Sequence, residues 1–220
     1  MSAVRRLVVY GAGGHGKVVA DVGRSAGYEV VGFLDDAPGR PGHVFFDLPV
    51  VSGSAFLRDR AGLGEVAVVL GIGDNAAREQ VYERLRAAGV AVPAIVHASA
   101  VVAPSSRIAA GSVVMALAAV NPDAVVGEGA ILNTGSVVEH DCRLGRFVHL
   151  SPNAALGGAV EVGDRTHLGL GAVALPGVRI GADVRAGAGA VVHRDVGDGQ
   201  TVVGVPARPV ERPGEGSGSR

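Results

Sequence analysis

The sequence predicts two joined units of different character: an α/β unit over residues 1–95 and a three-faced coil of short strands over residues 96–199. Three observations carry this. An apolar run at 7–10 ends in the loop Gly11-Ala12-Gly13-Gly14-His15-Gly16, and a helical pattern follows. From Val96 the chain repeats every six residues. The composition joins 35 glycines to only 4% aromatic residues with no Trp, which suits tightly coiled repeating backbone better than a bundle built on large side chains.

In the first unit the pattern alternates strand and helix. The strand at 7–10 is followed by a helix at 17–25, stopped near Gly27. A second strand at 28–34 closes on Asp35-Asp36. Residues 37–53 carry Pro38, Gly39, Pro41, Gly42 and Pro49 and read as loop with a short strand at 49–51. A short helix is expected at 54–60 and a strand at 66–70, ending in Gly71-Ile72-Gly73. Asp74 is placed to cap a helix over 75–88. This alternation predicts a small, Rossmann-like parallel sheet with helices on its faces.

The second unit divides into 17 sixes starting at Val96, and 15 of the 17 first positions are Ile, Leu or Val, the others being Ala174 and Ala186. The fifth positions, among them Ser112, Cys142, Thr166 and Ala190, hold nothing charged and nothing larger than Val. Glycine fills the second position at 127, 145, 157, 163, 169, 181 and 187, read as relief of backbone strain at turns. Each six supplies a strand and a corner, and three sixes make one coil, so residues 18 apart stack in columns. The result is a quasi-one-dimensional solenoid. Residues 200–211 are expected to leave the coil and cap it, and 212–220 to be disordered.

Composition excludes several classes. A net charge of -1 gives no support for nucleic acid or an anionic membrane as partner. No apolar run reaches spanning length, and the start lacks a signal-peptide pattern. A single cysteine fits a reducing, cytoplasmic setting.

The densest polar cluster of the repeat is 133–142, containing Asn133, Glu139, His140, Asp141 and Cys142. The register turns His140 outward with Asp141 beside it. A carboxylate can orient an imidazole and stabilise its cation, which makes His140 a candidate general base; a solvated surface histidine is the competing reading. Gly158 lies one coil above His140 and leaves space for a thin ligand, while Pro122 lies one coil below. Cys142 faces inward, which argues against a nucleophile and favours direct transfer. His149 and His167 share a column with Arg185. Two histidines without a third ligand are a thin basis for catalytic zinc, and no metal is expected. In the first unit, GxGxxG at 11–16 with Asp35 at the end of the next strand fits a dinucleotide fingerprint, and the same cradle suits any nucleotide diphosphate.

Taken together, GAGGHGKVVADV at 11–22, FLDD at 33–36, GIGDNAAR at 71–78, ILNTGSVVEHDC at 131–142, FVHLSP at 147–152 and VVGVPA at 202–207 resemble the bacterial nucleotide-sugar N-acetyltransferases of the sialic-acid O-acetyltransferase (NeuD/PglD-like) type, over about residues 5–210. The resemblance implies a left-handed parallel β-helix, a homotrimer and acetyl-CoA as donor to a UDP- or GDP-linked 4-amino sugar for bacterial surface glycans. It implies His140 as base, with Asp141 raising its basicity in a place where some relatives have Glu. It places Asn133 and His149 near the acetyl group and the amine, and Gly158, Leu170 and Ala188 along the acetyl-CoA path. Gly13, Gly14, His15, Asp35, Asp36 and Gly73 match nucleotide-sugar positions. Sugar O-acetylation is the close alternative. An NAD-dependent oxidoreductase, a metal-dependent hexapeptide protein and a scaffold with a decayed site fit fewer of these features.

Overall fold

The structure, a computed structural model, describes residues 5–59 and 66–210. The expected tail at 212–220 lies outside the described residues, as do residues 1–4. In the N-terminal unit, β1 (Arg6–Tyr10), α1 (Gly14–Ser25), β2 (Glu29–Leu34), β3 (Val44–Phe45), β4 (Leu48–Val51), α2 (Gly53–Asp59), β5 (Ala67–Leu70) and α3 (Asn75–Ala87) follow one another. The sheet order is β3-β4-β2-β1-β5, parallel except for the β3–β4 hairpin.

Two local readings change. The helix expected from residue 17 begins at Gly14, so Gly14, His15 and Gly16 form its first turn rather than a loop before it. Glycine's low helix propensity favours a later start, but the β1 exit fixes the backbone. The β3–β4 hairpin is not legible in the sequence either. Its turn residues, Phe46 and Asp47, both have positive φ (52° and 61°), the pattern of a tight primed turn, without the Asn-Gly signature of such turns. Asp74 caps α3 as expected, accepting from the Ala77 N–H at 2.8 Å.

From Ile95 onward the chain is a left-handed parallel β-helix. Two-residue strands recur every six residues and pair with strands 18 residues away. The second residue of each strand points inward, and the column from Val114 to Val192 forms a continuous core. The first residue points outward, giving the prism three unlike faces. One face carries Ile95, Val113, Ile131, His149, His167 and Arg185. The second is wholly apolar: Val101, Ala119, Val137, Ala155, Val173 and Val191. The third is charged, with Arg107, Val125, Arg143, Glu161 and Arg179.

The glycines at second positions do not relieve turn strain, because none has positive φ. They are needed because successive coils nearly touch there. A Cβ on Gly169 would sit 2.8 Å from Ala188 N and 2.9 Å from Ala186 O. The left-handed conformation belongs instead to the fourth position, where every sixth residue from Gly111 to Gly189 has positive φ, including Leu117, Phe147, Ala159 and Arg165. The small fifth position has a further use: the hydroxyls of Ser112 and Thr166 and the thiol of Cys142 donate to the carbonyls of Gly127, Gly181 and Gly157 in the next coil. The coil also runs on past residue 200. Thr201–Val203 extends the first face in parallel before Arg208–Pro209 folds back antiparallel as the cap.

The first face is the seam with the N-terminal unit. Ile95, Val113, Met115 and Ile131 share one buried cluster with Val19, Ala20 and Val22 of α1. On the α3 side, Tyr82 meets Phe147 edge to face. Between them lies Arg78, fully buried. Its five N–H donors make five bonds: Nε to Gly129 O at 2.7 Å, Nη1 to Ile72 O and Gly73 O at 3.2 Å, and Nη2 to Asn75 Oδ1 and Phe147 O at 2.8 Å. Four of these acceptors are backbone carbonyls drawn from both units. Around this clamp, Arg146 pairs with Glu79, Glu83 and Glu128, and Arg165 with Glu79 and Asp183.

Replacing Arg78 with Ala leaves those carbonyls buried and unpaired, and is expected to cost at least about 3 kcal/mol, read as a fall in urea midpoint. Lysine, with three donors and no planar fork, is expected to recover less than half. Gly169→Ala is expected to destabilise by about 1–3 kcal/mol through coil–coil overlap. Ala159→Gly, at a left-handed corner, is expected to be near neutral, because relief of backbone strain offsets unfolded-state entropy. Equal losses from the two exchanges would contradict this division of roles.

Candidate active site

The six glycines at the strand exits sort into two sets. At Gly11, Gly16 and Gly71 an added Cβ would collide with neighbouring backbone, Gly11 meeting Gly71 O at 2.6 Å, so these glycines are needed for packing. Gly13, Gly14 and Gly73 have open space in front of them. Gly13 is the N-cap of α1 with no side-chain cap, and no acidic residue occupies the first turn. The N–H groups there are therefore available to an anion.

The two aspartates behave differently from each other. Asp35 accepts the Ala12 and Ala37 N–H groups, one per oxygen at 2.8 Å, and keeps acceptor capacity on each. Asp36 accepts four bonds, from the hydroxyls of Tyr10, Ser52 and Ser54 and the Ser54 N–H. Partial burial works against its charge, but these bonds hold its carboxyl down at about 2. Its acceptor positions are filled by the protein, so Asp36 braces β1 and β2 against α2.

His15, at the start of α1, leans over the seam face of the coil. Its ring centroid is 6.2 Å from that of His149, which stacks on His167 at 4.5 Å with planes 8° apart. Asn133 Nδ2 lies 3.3 Å from His149 Nε2, and Ser151 Oγ lies 2.8 Å from His167 Nε2. An amide donor onto Nε2 assigns the His149 proton to Nδ1. Burial, then the charge of Arg78, pushes His15 down to about 4; burial, then His167, Arg78 and His15, pushes His149 down to about 3. Both rings are neutral at pH 7. Seam residues thus bring together Gly13, Gly14, His15, Gly73, Asn133 and His149.

His140 stands elsewhere. It occupies the corner between the apolar and charged faces, opposite the seam face. Its Nδ1 is 2.8 Å from Asp141 Oδ2, and both side chains are 61% exposed. Asp141 is a fourth-position residue with φ 61°, a conformation Asp tolerates better than most, and it presents the carboxylate to the ring. The hydrogen bond that His140 Nδ1–H donates to Asp141, with the charges of Asp141 and Glu139, raises the imidazole above its ordinary value. The space expected beside His140 is filled by its own ring: a Cβ on Gly158 would come within 2.6 Å of Cε1 and Nε2. Gly158 thus seats the imidazole. Nε2 faces outward with no protein partner among the described residues. Leu170, 58% exposed, and Ala188 lie on a third location, the corner between seam and apolar faces. Cys142 is buried, as its register required. Among the described residues no group of three or more His, Cys, Asp or Glu is placed to hold a metal. Arg78, which fixes Gly73 and Phe147 beside these histidines, is not singled out by the sequence.

The buried imidazoles carry a stability signature. Below about 6.5 the unfolded chain protonates His15 and His149 while the folded chain does not, down to about 4 and 3. The unfolded state binds more protons there, so stability rises with pH across that window. The thermal midpoint is expected to fall as pH drops from 7 to 5, and the double exchange His15→Gln and His149→Gln to flatten that fall. An unchanged slope would place the titration elsewhere.

Comparison with known proteins gives the family and the fold. The family model for the PglD N-terminal domain matches residues 6–85. A perosamine N-acetyltransferase from Caulobacter crescentus, solved as a histidine-to-asparagine mutant in complex with CoA and GDP-perosamine, superimposes with TM-score 0.88 at 41% identity, covering 96% of this chain and 99% of that one. The acetyltransferase domain of PglB from Neisseria gonorrhoeae gives TM-score 0.88 at 41% identity over 94% and 100%. WeeI from Acinetobacter baumannii gives 0.84 at 29% identity over 94% and 100%. The chain belongs to the PglD/NeuD-like family of nucleotide-sugar N-acetyltransferases.

Proposed function

We propose that this chain transfers the acetyl group of acetyl-CoA to the amino group of a UDP- or GDP-linked 4-amino sugar, in bacterial surface glycan synthesis in the cytoplasm. The observation that carries the chemistry is the His140–Asp141 pair, oriented at 2.8 Å with Nε2 free and outward. Asp141 holds the proton on Nδ1, so Nε2 is the basic nitrogen. The sugar amine attacks the thioester carbonyl, and a tetrahedral centre forms. His140 Nε2 takes the amine proton, Asp141 stabilises the imidazolium, and the C–S bond breaks. The proton passes to the departing thiolate, leaving an N-acetyl sugar and CoA. Positioning of both reactants supplies much of the rate.

The acceptor reading rests on the open glycines Gly13, Gly14 and Gly73, the uncapped α1 N-terminus and the free acceptor positions of Asp35. Those groups take a nucleotide diphosphate at the seam, where Asn133 and His149 line the sugar end. The C. crescentus relative holds CoA and GDP-perosamine together, which supports both halves of the assignment.

Within one chain His140 and the seam lie on opposite sides of the prism. A complete site therefore needs the His140 corner of one copy against the Leu170–Ala188 corner of another. The unbroken apolar face between those two corners supports such packing, and closure by three copies gives a homotrimer.

His140→Gln is expected to lower turnover about 10²–10⁴-fold with an unchanged thermal midpoint. Asp141→Asn is expected to shift the acid limb of the kcat/KM profile to lower pH, because the carboxylate that raises the imidazole is gone. Mixing inactive His140→Ala with inactive His149→Ala is expected to restore partial activity, and Ala155→Arg on the apolar face to give monomers. No recovery on mixing would place both groups in one chain's site. A panel of UDP- and GDP-linked amino sugars and hydroxy analogues, read by mass, tests the acceptor; acetylation of hydroxyl acceptors alone would overturn the N-acetyl assignment.

A further inference from the structure

The outward residues of the seam face change character up the coil. Ile95, Val113 and Ile131 are apolar and buried with α1. His149, His167, Arg185 and Thr201 follow, each paired with the next. His149 serves the acceptor end described above. His167 and Arg185 lie beyond it, and neither the Arg78 clamp nor the packing of α1 uses them.

Both line a cavity of about 270 Å³ between the upper seam face and the start of α3. Its walls sort into engaged groups and free ones. Asp183 accepts Nε and Nη2 of Arg165 at 2.8 Å each, and Arg165 Nη1 turns to Glu79. Asn75 donates its amide to Arg165 O and accepts Arg78 on its oxygen. Asp74 caps α3 through one oxygen, and its charge sits at the positive end of that helix. The Arg185 guanidinium, by contrast, is exposed and makes no hydrogen bond or ion pair with the described residues. His167 is bonded to Ser151 through Nε2 alone. Burial, then the charges of Arg185 and Arg78, holds its imidazole below its ordinary value, so a neutral ring stands beside the free cation. The carboxylates of this cavity are answered by the protein, and one of its guanidiniums is not. A partner for that fork is a planar oxyanion from outside.

Gly73 connects the cavity to the chemistry. It is one of the open glycines of the acceptor groove and also lines this cavity, so the two share a wall. In a nucleotide-linked 4-amino hexose the diphosphate is carried on C1. The amine on C4 and the C6 group on C5 both lie at the far end of the ring. With the amine at Asn133 and His149, a C6 group directed up the face stands about one coil, or 4.8 Å, higher. That level is His167, and Arg185 closes on it from the next coil. A C6 carboxylate meets the guanidinium fork with two oxygens; a methyl or hydroxymethyl group leaves the fork unmatched.

We infer that Arg185, with His167 beside it, is a specificity-determining subsite for a carboxylate on C6 of the acceptor, so that the substrate class is a nucleotide-linked amino hexuronate; the assignment rests on the acceptor reading proposed above.

The test compares wild type, Arg185→Ala and Arg185→Lys on a matched pair of nucleotide-linked 4-amino sugars, one with a C6 carboxylate and one with a C6 hydroxymethyl group. Wild type is expected to favour the uronate about 10- to 100-fold in kcat/KM. Arg185→Ala is expected to erase that preference through KM, with kcat, the hydroxymethyl acceptor, the KM for acetyl-CoA and the thermal midpoint unchanged. Arg185→Lys is expected to recover part of it, because the charge returns without the fork. A wild type that treats the two sugars alike, or an Arg185→Ala variant that loses equally on both, would overturn the subsite. Calorimetry with inorganic phosphate separates a free anion from a substrate group: Arg185-dependent phosphate binding without any preference for the uronate would make this a free-anion site and overturn the acceptor assignment. A wild type that acetylates neither sugar would remove the acceptor reading and the subsite with it, a result distinct from one that acetylates both equally.

Discussion

The arrangement of this protein depends on one buried guanidinium. Arg78 has no carboxylate at hydrogen-bond distance among the described residues; its charge is dispersed over four backbone carbonyls and one amide oxygen taken from the β5–α3 turn, the start of α3 and two corners of the coil. Burial lowers it to about 9, still charged at neutral pH. Everything needed at the seam is referenced to it. The turn at Gly73, the corner at Phe147 and the neutrality of His15 and His149 all depend in part on where that cation sits. An apolar side chain could fill the same volume but would leave the carbonyls without donors, and the two units would be free to slide along their shared hydrophobic seam.

The remainder of the coil is governed by a conflict between close stacking and corner geometry. Parallel coils about 4.8 Å apart leave no room for a Cβ at second positions such as Gly157 and Gly169. The turn that follows forces the fourth position into the left-handed region whatever residue stands there. Asp141 is one of these residues. The corner that orients the His140 partner is thus the same backbone device that turns every other coil, and the pair rests on a glycine, Gly158, that lets the imidazole lie flat against the next coil.

Much of this was legible in the sequence, for definite reasons. A six-residue period is a one-dimensional signal, so the inward columns, the burial of Cys142 and the outward direction of His140 followed from counting. The Asp74 cap was equally local. What was not legible is what depends on three-dimensional meeting. Arg78 sits in an ordinary helical pattern, and nothing local distinguishes it from a solvated arginine. Asp36 looks identical to Asp35 in sequence, but its four internal donors come from β1, from the residue before α2 and from α2 itself. The left-handed fourth positions hold Leu117, Phe147 and Arg165, residues that give no hint of that conformation.

The three-faced coil also restricts how such a chain can change length. Eighteen residues complete one turn, so an insertion or deletion of 18 preserves the identity of every face beyond it and only shifts the distance between features in one column. A change of six keeps each residue's inward or outward sense but rotates everything downstream by a third of a turn, carrying His167 off the seam and onto the apolar or the charged face. A change of any number not divisible by six has to be absorbed at a corner, as it is after Val192, where a corner two residues shorter sets Val196 beside Ile180 and Thr201 beside Arg185. Loops in most folds absorb arbitrary additions; here the repeated corners from Val96 to Val192 all have one length, and only the last corner before the cap departs from it.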